Sequence, residues 1–378
     1  MKRIILTGLW ALISIDNASG LSFVAYGDAR TYPNDHQVVV DAIARVNPEL
    51  ILFSGDLWDG YGSTLAASSE RFRAILNKNA NVAQLLQKNL FLVARGNHET
   101  ESEMLAFQPS LVRNGKVQYS FTQGNCFFIS LGMDAMVSLA FLEQQLQSAA
   151  AKQATWKFVY SHFPVYSTGD HGSLGMPAFE RICDKYGVNV VFNGHDHLYE
   201  RSHQIYGGKA VDNSNRLTAD KGTVYIVSGG GGAPLYSCHT KGWFTNVCRS
   251  TRNFCQVKTD ENQISVRAML TNGQAFDSIT ISRSFATHAA PSASPFFGWL
   301  NVNQMLSQNR AILSFSPIRG YVGILEILAA DGTSLRKETL ASGQTSLAWD
   351  YGKTAKGEYL AVLRDGAVSF SRKIPLSN

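Results

Sequence analysis

The chain has 378 residues, of which 45% are hydrophobic and 17% are charged. This composition excludes a disordered protein, and the length is sufficient for two domains with a large buried core. Lys and Arg number 34 against 29 Asp and Glu, which gives a net charge of +5. Because the basic residues are scattered and not gathered in runs, neither nucleic-acid binding nor a nuclease is favoured.

The N-terminal segment predicts export. Lys2 and Arg3 precede the apolar run 4–15, and small residues follow as far as Gly20. A basic start, a short apolar stretch and a small-residue exit are typical of a secretory signal peptide, and the run is short for a membrane span. We therefore predict a signal peptide over 1–20, cleaved near Gly20, and a secreted or cell-surface protein without a transmembrane anchor. The alternative is a first core strand or helix.

Apolar runs and helical patterns alternate from residue 21 onward. Strands are predicted at 21–26, 50–53, 90–93, 156–160 and 188–192, a hairpin at 117–122 and 126–131, and helices at 35–46, 82–88, 137–152 and 177–186. This order of strand and helix indicates a layered α/β sheet. The later stretch 199–283 is rich in strands and is interrupted by a polar loop, 207–222, and a glycine run, 229–232.

The composition changes near residue 285. The stretch SFATHAAPSASPFFG is rich in Ala, Ser and Pro, as linkers are. We place the catalytic domain at 21–285, the linker at 286–296 and a small all-β sandwich at 297–378. The last region contains no cysteine and no histidine, so the chemistry is expected in the first domain.

The cysteines are compatible with export. Cys238 and Cys248 flank a loop that contains glycine and aromatic residues, where a local disulfide could form. Cys126 and Cys183 lie in apolar patterns and are expected to be buried thiols. No pair of cysteines has the spacing of a metal site.

Polar residues follow five of the predicted strands. The stretches are GDAR with Asp28, SGDLWDG with Asp56 and Asp59, RGNHE with Asn97, His98 and Glu99, SHFP with His162, and NGHDH with His195 and His197. Each alone is often a turn or cap residue. The carboxyl ends of strands in an open α/β sheet converge on one crevice, so together these residues predict a metal centre. Carboxylate, amide and imidazole ligands suit Mn, Fe or Zn, and their number suits two ions that share one carboxylate.

This ordered series, GD, GD, GNH, H and GHxH, resembles the motif set of the calcineurin-like metallophosphoesterase superfamily over 21–283. The stretches GHDHLYER and IVSGGGGAPLY are similar to its purple acid phosphatase-like branch. The resemblance implies an α/β four-layer sandwich, with two mixed β-sheets flanked by helices and a dimetal site at the edge. It also implies hydrolysis of a small phosphorylated substrate by a metal-bound hydroxide.

The resemblance implies a role for each matching residue. Asp56 would bridge the ions, Asp28 and His197 would hold one ion, and Asn97, His162 and His195 would hold the other. His98 would be the general acid for the leaving alkoxide, because it directly follows Asn97. Asn97 and His171 would contact the substrate, although His171 could equally be an exposed loop histidine.

Two positions depart from the family pattern. Arg30 stands where the superfamily often has a further histidine ligand, and arginine is a poor ligand because it stays protonated. Arg30 is expected to bind a phosphate oxygen or to form a surface ion pair. The ion held by Asp28 and His197 is then expected to bind weakly. Asp59 replaces the tyrosine of coloured purple phosphatases, so that colour should be absent. GDLWDG resembles the GDxxD pattern instead, in which Asp59 would orient His98 and keep it protonated; the alternative is a turn carboxylate.

The C-terminal region resembles the sorting domains of proteins exported by type IX secretion. The matching features are Trp349 with Asp350, GEY at 357–359 and RKI at 372–374. The resemblance implies contact with that secretion machinery. A generic fibronectin-like spacer or surface-binding module is the alternative.

Three functions are carried forward from the sequence. A secreted phosphomonoesterase is favoured, and a phosphodiesterase is the second enzyme hypothesis, because loops around the site decide specificity in such folds. The third hypothesis is a non-catalytic binding protein whose metal site has decayed, with Arg30 as its first sign.

Overall fold

The computed structural model describes residues 20–59, 64–108, 117–133, 138–172, 175–283, 300–305, 310–315, 323–329, 333–340, 344, 346–351, 357–365 and 368–376. The chain divides into two compact units, Met1–Ser284 and Phe285–Asn378. Residues 1–19 of the predicted signal peptide and the predicted linker 286–296 lie outside the described residues. Among the helices that are described, none combines the length and the apolar character needed to cross a membrane.

The first unit contains two mixed sheets. Its strands are β1 (Ser22–Tyr26), β2 (Leu50–Phe53), β3 (Phe91–Val93), β4 (Tyr119–Gln123), β5 (Cys126–Ser130), β6 (Trp156–Tyr160), β7 (Val190–Asn193), β8 (Tyr199–Tyr206), β9 (Lys209–Asp212), β10 (Arg216–Thr218), β11 (Thr223–Ser228), β12 (Thr245–Arg249), β13 (Phe254–Thr259), β14 (Gln263–Met269) and β15 (Ala275–Ser282). One sheet has the order β10-β15-β14-β13-β1-β2-β3, and the other has the order β12-β8-β11-β7-β6-β5-β4, with β9 paired to β8.

Helices cover the outer faces of both sheets. They are α1 (Pro33–Arg45), α2 (Leu65–Asn77), α3 (Ala80–Gln87), α4 (Glu101–Phe107), α5 (Leu139–Leu146), α6 (Ala149–Gln153) and α7 (Pro177–Tyr186). Val159 of β6 packs in one cluster with Leu142 of α5 and Phe179 of α7. Tyr26 of β1 contacts His36 of α1. The predicted arrangement of two mixed sheets flanked by helices is therefore confirmed.

The inner faces of the two sheets meet through aromatic side chains. Phe23 of β1 makes edge-to-face contacts with Phe128 and Phe158 of the other sheet, with ring centroids 5.3 and 5.1 Å apart. Successive strand residues point to opposite faces, so Phe158 faces this core while Val159 faces the helices. Burial of each such ring stabilises the fold by roughly 1.5–3 kcal/mol, so these contacts hold the two sheets together.

The parallel strands end in register at one edge. Tyr26 pairs with Phe53 and Phe53 pairs with Val93 across β1, β2 and β3. In the second sheet, Tyr160 pairs with Phe192 across β6 and β7. The residues that follow these strands therefore emerge close together.

Two predicted elements differ from the structure. The helix predicted over 137–152 is two helices, because Ser148 caps α6 by accepting a hydrogen bond of 3.2 Å from the backbone N–H of Ala151. The predicted loop 207–222 contains β9, β10 and a short 3-10 turn, Ala219–Lys221. These strands are mostly exposed, so they lack the apolar alternation by which a strand is recognised.

The cysteine predictions are confirmed. Cys238 and Cys248 form a disulfide. Cys126 and Cys183 are buried thiols, and so is Cys255.

The second unit is an antiparallel β-sandwich. Its strands are β16 (Leu300–Met305), β17 (Arg310–Phe315), β18 (Gly323–Leu328), β19 (Ser334–Leu340), β20 (Ser346–Asp350), β21 (Gly357–Asp365) and β22 (Val368–Leu376). They form a sheet of order β16-β17-β20 and a sheet of order β19-β18-β21-β22. Leu313 and Trp349 of the first sheet share a buried core with Leu325 and Ile374 of the second. The predicted all-β sandwich is confirmed.

Candidate metal centre

The polar residues that follow β1, β2, β3, β6 and β7 meet at one edge of the two sheets. Asp28, Asp56 and His195 all have positive φ angles, of 62°, 60° and 71°. A non-glycine residue in this region costs of order 1–3 kcal/mol, a strain that is found mostly at functional sites. The backbone is therefore bent here in a way that aims three side chains at one point.

Glycine is required beside two of these side chains. A Cβ at Gly96 would lie 2.2 Å from Asp56 Oδ1, and a Cβ at Gly194 would lie 2.4 Å from Asp28 Oδ2. Neither distance is compatible with a side chain. The glycines of GNH and GHDH thus let neighbouring loops approach the carboxylates closely.

Asp28, Asp56 and His162 form the buried centre of the site. Each offers a ligand atom, and these atoms lie within 4.8 Å of one another. Burial raises the pKa of Asp28 well above its usual range, and the nearby Asp56 raises it further. Burial would also raise the pKa of Asp56, but His162, His98 and Arg30 hold it below its ordinary value. Two buried carboxylates this close together favour a cation.

His162 presents a lone pair to other acceptors. Its Nδ1 lies 2.8 Å from the carbonyl oxygen of Ser54, which can only accept, so Nδ1 carries the proton. Its Nε2 lies 2.8 Å from Asn97 Oδ1 and 3.3 Å from Asp56 Oδ1. Burial lowers the pKa of His162, which disfavours a second proton on the ring. Acceptor atoms that face one another in this way form a ligand set that suits a metal ion.

Two further histidines complete the set. His195 Nδ1 lies 3.1 Å from Asn97 Oδ1, and the backbone N–H of His195 donates to Asp28 at 2.9 Å. His197 donates its Nδ1 proton to the carbonyl oxygen of Pro234 at 2.7 Å, and its Nε2 lies 3.7 Å from Asp28 Oδ1. Burial lowers the pKa of both rings to about 3, so both are neutral and able to ligate.

Arg30 reaches into the site and does not lie on the surface. Its Nε lies 3.3 Å from Asp56 Oδ2, and its Nη2 lies 3.5 Å from His197 Nε2. Its Nη1 lies 3.4 Å from Asp59 Oδ2. Only 16% of the side chain is exposed. The guanidinium contacts the carboxylates of Asp56 and Asp59 and the ring of His197, which is a predicted metal ligand.

His98 lies at the rim with Asp59 beside it. His98 Nδ1 is 3.4 Å from Asp59 Oδ2, and His98 Nε2 is 3.8 Å from Asp56 Oδ2. The side chain of His98 is 31% exposed and that of Asp59 is 53% exposed. Asp59 can therefore orient the ring of His98, while the other ring nitrogen faces the centre.

His171 stacks on the site through an aromatic wall. Its ring lies 4.3 Å from that of His195, and its Nε2 lies 3.4 Å from Tyr236 Oη. Tyr236 in turn stacks on His197, with ring centroids 4.0 Å apart. Sequence reasoning did not select Tyr236, although it ends the quoted stretch IVSGGGGAPLY.

Glu99 is the second residue whose role the sequence did not reveal. One of its oxygens accepts from the backbone N–H groups of Gly96 and Asp56, at 2.6 and 3.0 Å, and the other accepts from Leu57 at 3.3 Å. Burial and the charge of Asp56 raise its pKa to about 8. Glu99 thus ties the loops after β2 and β3 together. Its position next to GNH was visible in the sequence, but not its partners.

Known proteins are similar to this chain in sequence and in fold. Residues 23–199 match the family model described as Calcineurin-like phosphoesterase. Over 108 residues the chain is 35% identical to a "Probable inactive purple acid phosphatase 27" of Arabidopsis thaliana, covering 26% of this chain and 18% of that protein. It is 29% identical to "Purple acid phosphatase 15" of the same plant over 169 residues, covering 39% and 30%. The chain thus spans less than a third of either relative.

The fold is also that of a solved structure. Purple acid phosphatase PPD1 from yellow lupin (Lupinus luteus) seeds superposes with a TM-score of 0.58 at 20% identity, covering 71% of this chain and 55% of that chain. This confirms the fold predicted for the first domain. Residues 23–199 thus match the model of the calcineurin-like phosphoesterase family, and purple acid phosphatases are among the proteins to which this chain is similar.

Proposed function

We propose that the protein is a metal-dependent hydrolase of phosphate esters, with phosphomonoesters as the favoured substrates. The observation that carries this proposal is the meeting of three acceptors, in which Asn97 Oδ1 and Asp56 Oδ1 lie 2.8 and 3.3 Å from His162 Nε2. An ion held by these atoms would polarise a phosphoryl oxygen and activate a water molecule. Mn, Fe and Zn suit this ligand set.

The chain supplies the remaining chemistry. His98 would donate the proton on Nε2 to the leaving oxygen, because its Nδ1 faces Asp59 at 3.4 Å. The buried carboxylates Asp28 and Glu99 keep the loops in place through backbone hydrogen bonds. His171 and Tyr236 form a wall beside His195 and would contact the substrate; the ring contacts support this role.

The test is hydrolysis of an alkyl phosphate and of the matching dialkyl phosphate by metal-stripped protein. Mn, Fe, Zn or Mg is added back separately, and released phosphate or alcohol is measured. We expect metal-dependent turnover of the monoester, lowered about 10²–10⁴-fold in His98→Ala. His203→Ala, which changes a histidine of β8, is the matched control and should retain full turnover.

The two other hypotheses have their own outcomes in this experiment. Preference for the dialkyl phosphate would make the protein a phosphodiesterase. A protein that binds a phosphate ester but turns over neither ester with any metal would be a non-catalytic binding protein. The contact of Arg30 with Asp56 is the observation that favours this third function.

We also propose export of the protein, in support of which stands the disulfide between Cys238 and Cys248. Disulfides persist mainly in oxidising compartments. Mass and N-terminal sequence of the exported protein would test this, with a mature chain expected to begin near Gly20. The same mass would show whether 297–378, the proposed sorting domain, is removed. Retention of the full chain in the cytosol would contradict export.

A further inference from the structure

On the basis of the proposed metal-dependent function, we infer that this centre holds one metal ion and that the guanidinium of Arg30 takes the place of the second. The family resemblance implies two ions, but the two halves of the site differ. One half consists of His162, Asn97 and His195. The other half consists of Asp28 and His197, and Arg30 lies in it.

The first half is open to a cation. His162 Nε2, Asn97 Oδ1 and Asp56 Oδ1 face one another, and the proton of the His162 ring is committed to the carbonyl oxygen of Ser54. None of these three atoms can donate a hydrogen bond to the others. A positive charge between them is what would make this geometry favourable.

The second half already contains a cation. Arg30 Nε approaches Asp56 Oδ2 at 3.3 Å, which is the other oxygen of the carboxylate expected to bridge the ions. Arg30 Nη2 approaches His197 Nε2 at 3.5 Å. The lone pair of His197 points this way because Nδ1 donates to Pro234. The guanidinium therefore lies beside both ligand atoms, and a metal ion bound to them would be repelled by its positive charge at close range.

Arg30 is held in this position from outside the site. The backbone N–H of Thr31 donates to the carbonyl oxygen of Asp59 at 2.6 Å, and Thr31 has a positive φ of 76°. Arg30 Nη1 lies 3.4 Å from both Asp59 Oδ2 and Thr31 Oγ1. These contacts fix the side chain between Asp56 and Asp59. Since arginine stays protonated, its charge is permanent and cannot be removed by a chelator.

Metal content tests the inference directly. The protein is stripped, loaded with Mn²⁺, freed of excess metal by gel filtration and analysed by elemental mass spectrometry and electron paramagnetic resonance. We expect about one Mn²⁺ per chain in the wild type, with the spectrum of an isolated ion. Arg30→His should bind about two ions with a spectrum of coupled ions, because an imidazole replaces the guanidinium.

Two further variants separate the halves. His197→Ala should keep the single ion of the wild type, but should lower the content of Arg30→His from about two ions to about one. Asn97→Ala should lose the ion of the wild type. Arg45→His is the matched control, an arginine of α1 whose side chain donates to the backbone of Thr271 away from the site, and its metal content should not change.

Thermal melting shows whether each variant folds. If Arg30→His does not fold, Arg30→Met removes the guanidinium without adding a ligand, and a second, weaker Mn²⁺ site should appear in a titration. Two firmly bound ions in the wild type, no bound ion, or the same metal content in the wild type and in Arg30→His would each overturn the inference.

Phosphate release is measured on the same samples. One bound ion without turnover would refute only the proposed function, and two ions with turnover only the inference.

Discussion

Two buried clusters of charge in the first unit differ in how their hydrogen bonds are completed. Arg201 and Asp277 form a bidentate pair, with Nε–Oδ2 and Nη2–Oδ1 distances of 2.6 and 3.0 Å, and Tyr199 donates to the same carboxylate at 2.7 Å. Each oxygen of the Asp277 carboxylate therefore accepts at least one hydrogen bond from a neighbouring side chain. In the candidate metal centre, Arg30 reaches Asp56 Oδ2, but His162 Nε2, Asn97 Oδ1 and Asp56 Oδ1 face one another as acceptors.

The pKa shifts show the same difference. Burial would raise the pKa of Asp277, but the hydrogen bonds from Arg201 and Tyr199 hold it below its ordinary value. Burial and Asp56 raise the pKa of Asp28, and no neighbouring donor reverses the direction. The Arg201–Asp277 pair thus supplies its own counter-charge, whereas the acceptors around His162 Nε2 leave that charge to a ligand.

The largest expected effect comes from breaking the ion pair between Arg201 and Asp277. Asp277→Ala leaves the guanidinium of Arg201 buried without its partner and should lower the free energy of unfolding of the first unit by about 3–5 kcal/mol. Urea unfolding followed by tryptophan fluorescence measures this. Asp220→Ala, an exposed aspartate, is the control. A loss as small as that of the control would show that the pair does not stabilise the fold.

Metal removal should affect the other cluster by a smaller amount. Mn²⁺ at about 100 times its dissociation constant should raise the free energy of unfolding by about 2.7 kcal/mol, because only the folded site binds it. The free energy of unfolding should rise by the same amount in the wild type and in Asp277→Ala, since the Arg201–Asp277 cluster binds no metal ion. His162→Ala should gain nothing. An equal gain in His162→Ala would place the ion elsewhere.

A buried histidine outside both clusters gives a pH test. His36 stacks on Phe72 and contacts Tyr26 Oη at 3.1 Å, and burial lowers its pKa from 6.5 to about 3. Below about pH 6.5 the unfolded chain takes up a proton that the folded chain does not. Stability should therefore fall by about 1.4 kcal/mol for each pH unit down to about pH 3 from this residue alone.

The variant His36→Gln isolates that contribution. Its urea unfolding between pH 7.5 and 4.5 should fall less steeply than that of the wild type, by the equivalent of about one proton. His239→Gln, at an exposed position, serves as the control and should follow the wild type. Equal slopes for His36→Gln and wild type would contradict a neutral, buried His36.

Local motifs made much of this site predictable from the sequence. Asp28, Asp56 and His162 each follow an apolar run directly, so the order of strands was enough to bring them together. Glu99 was noticed without a role and Tyr236 was missed, because their decisive contacts are long-range. Glu99 accepts from Asp56, 43 residues away, and Tyr236 reaches His197 only after β11 has returned the chain to the edge. The depth of Arg30 likewise depends on side-chain contacts that no spacing reveals.

The smallest expected effect concerns the rim, where Asp59 acts through His98. Asp59→Asn should lower turnover of an alkyl phosphate about 10-fold, because the ring loses the carboxylate that orients it. Turnover of a nitrophenyl phosphate, whose leaving group needs no proton, should fall much less.

Asp59 also contacts Arg30 at 3.4 Å, and a loss transmitted through that contact would be the same for both esters. The ratio of the two losses therefore distinguishes orientation of His98 from support of Arg30, with Asp220→Asn as the control. Equal losses for both leaving groups would show that Asp59 acts by holding Arg30 in place. Asp59 would then support the half of the centre that contains the permanent charge of Arg30.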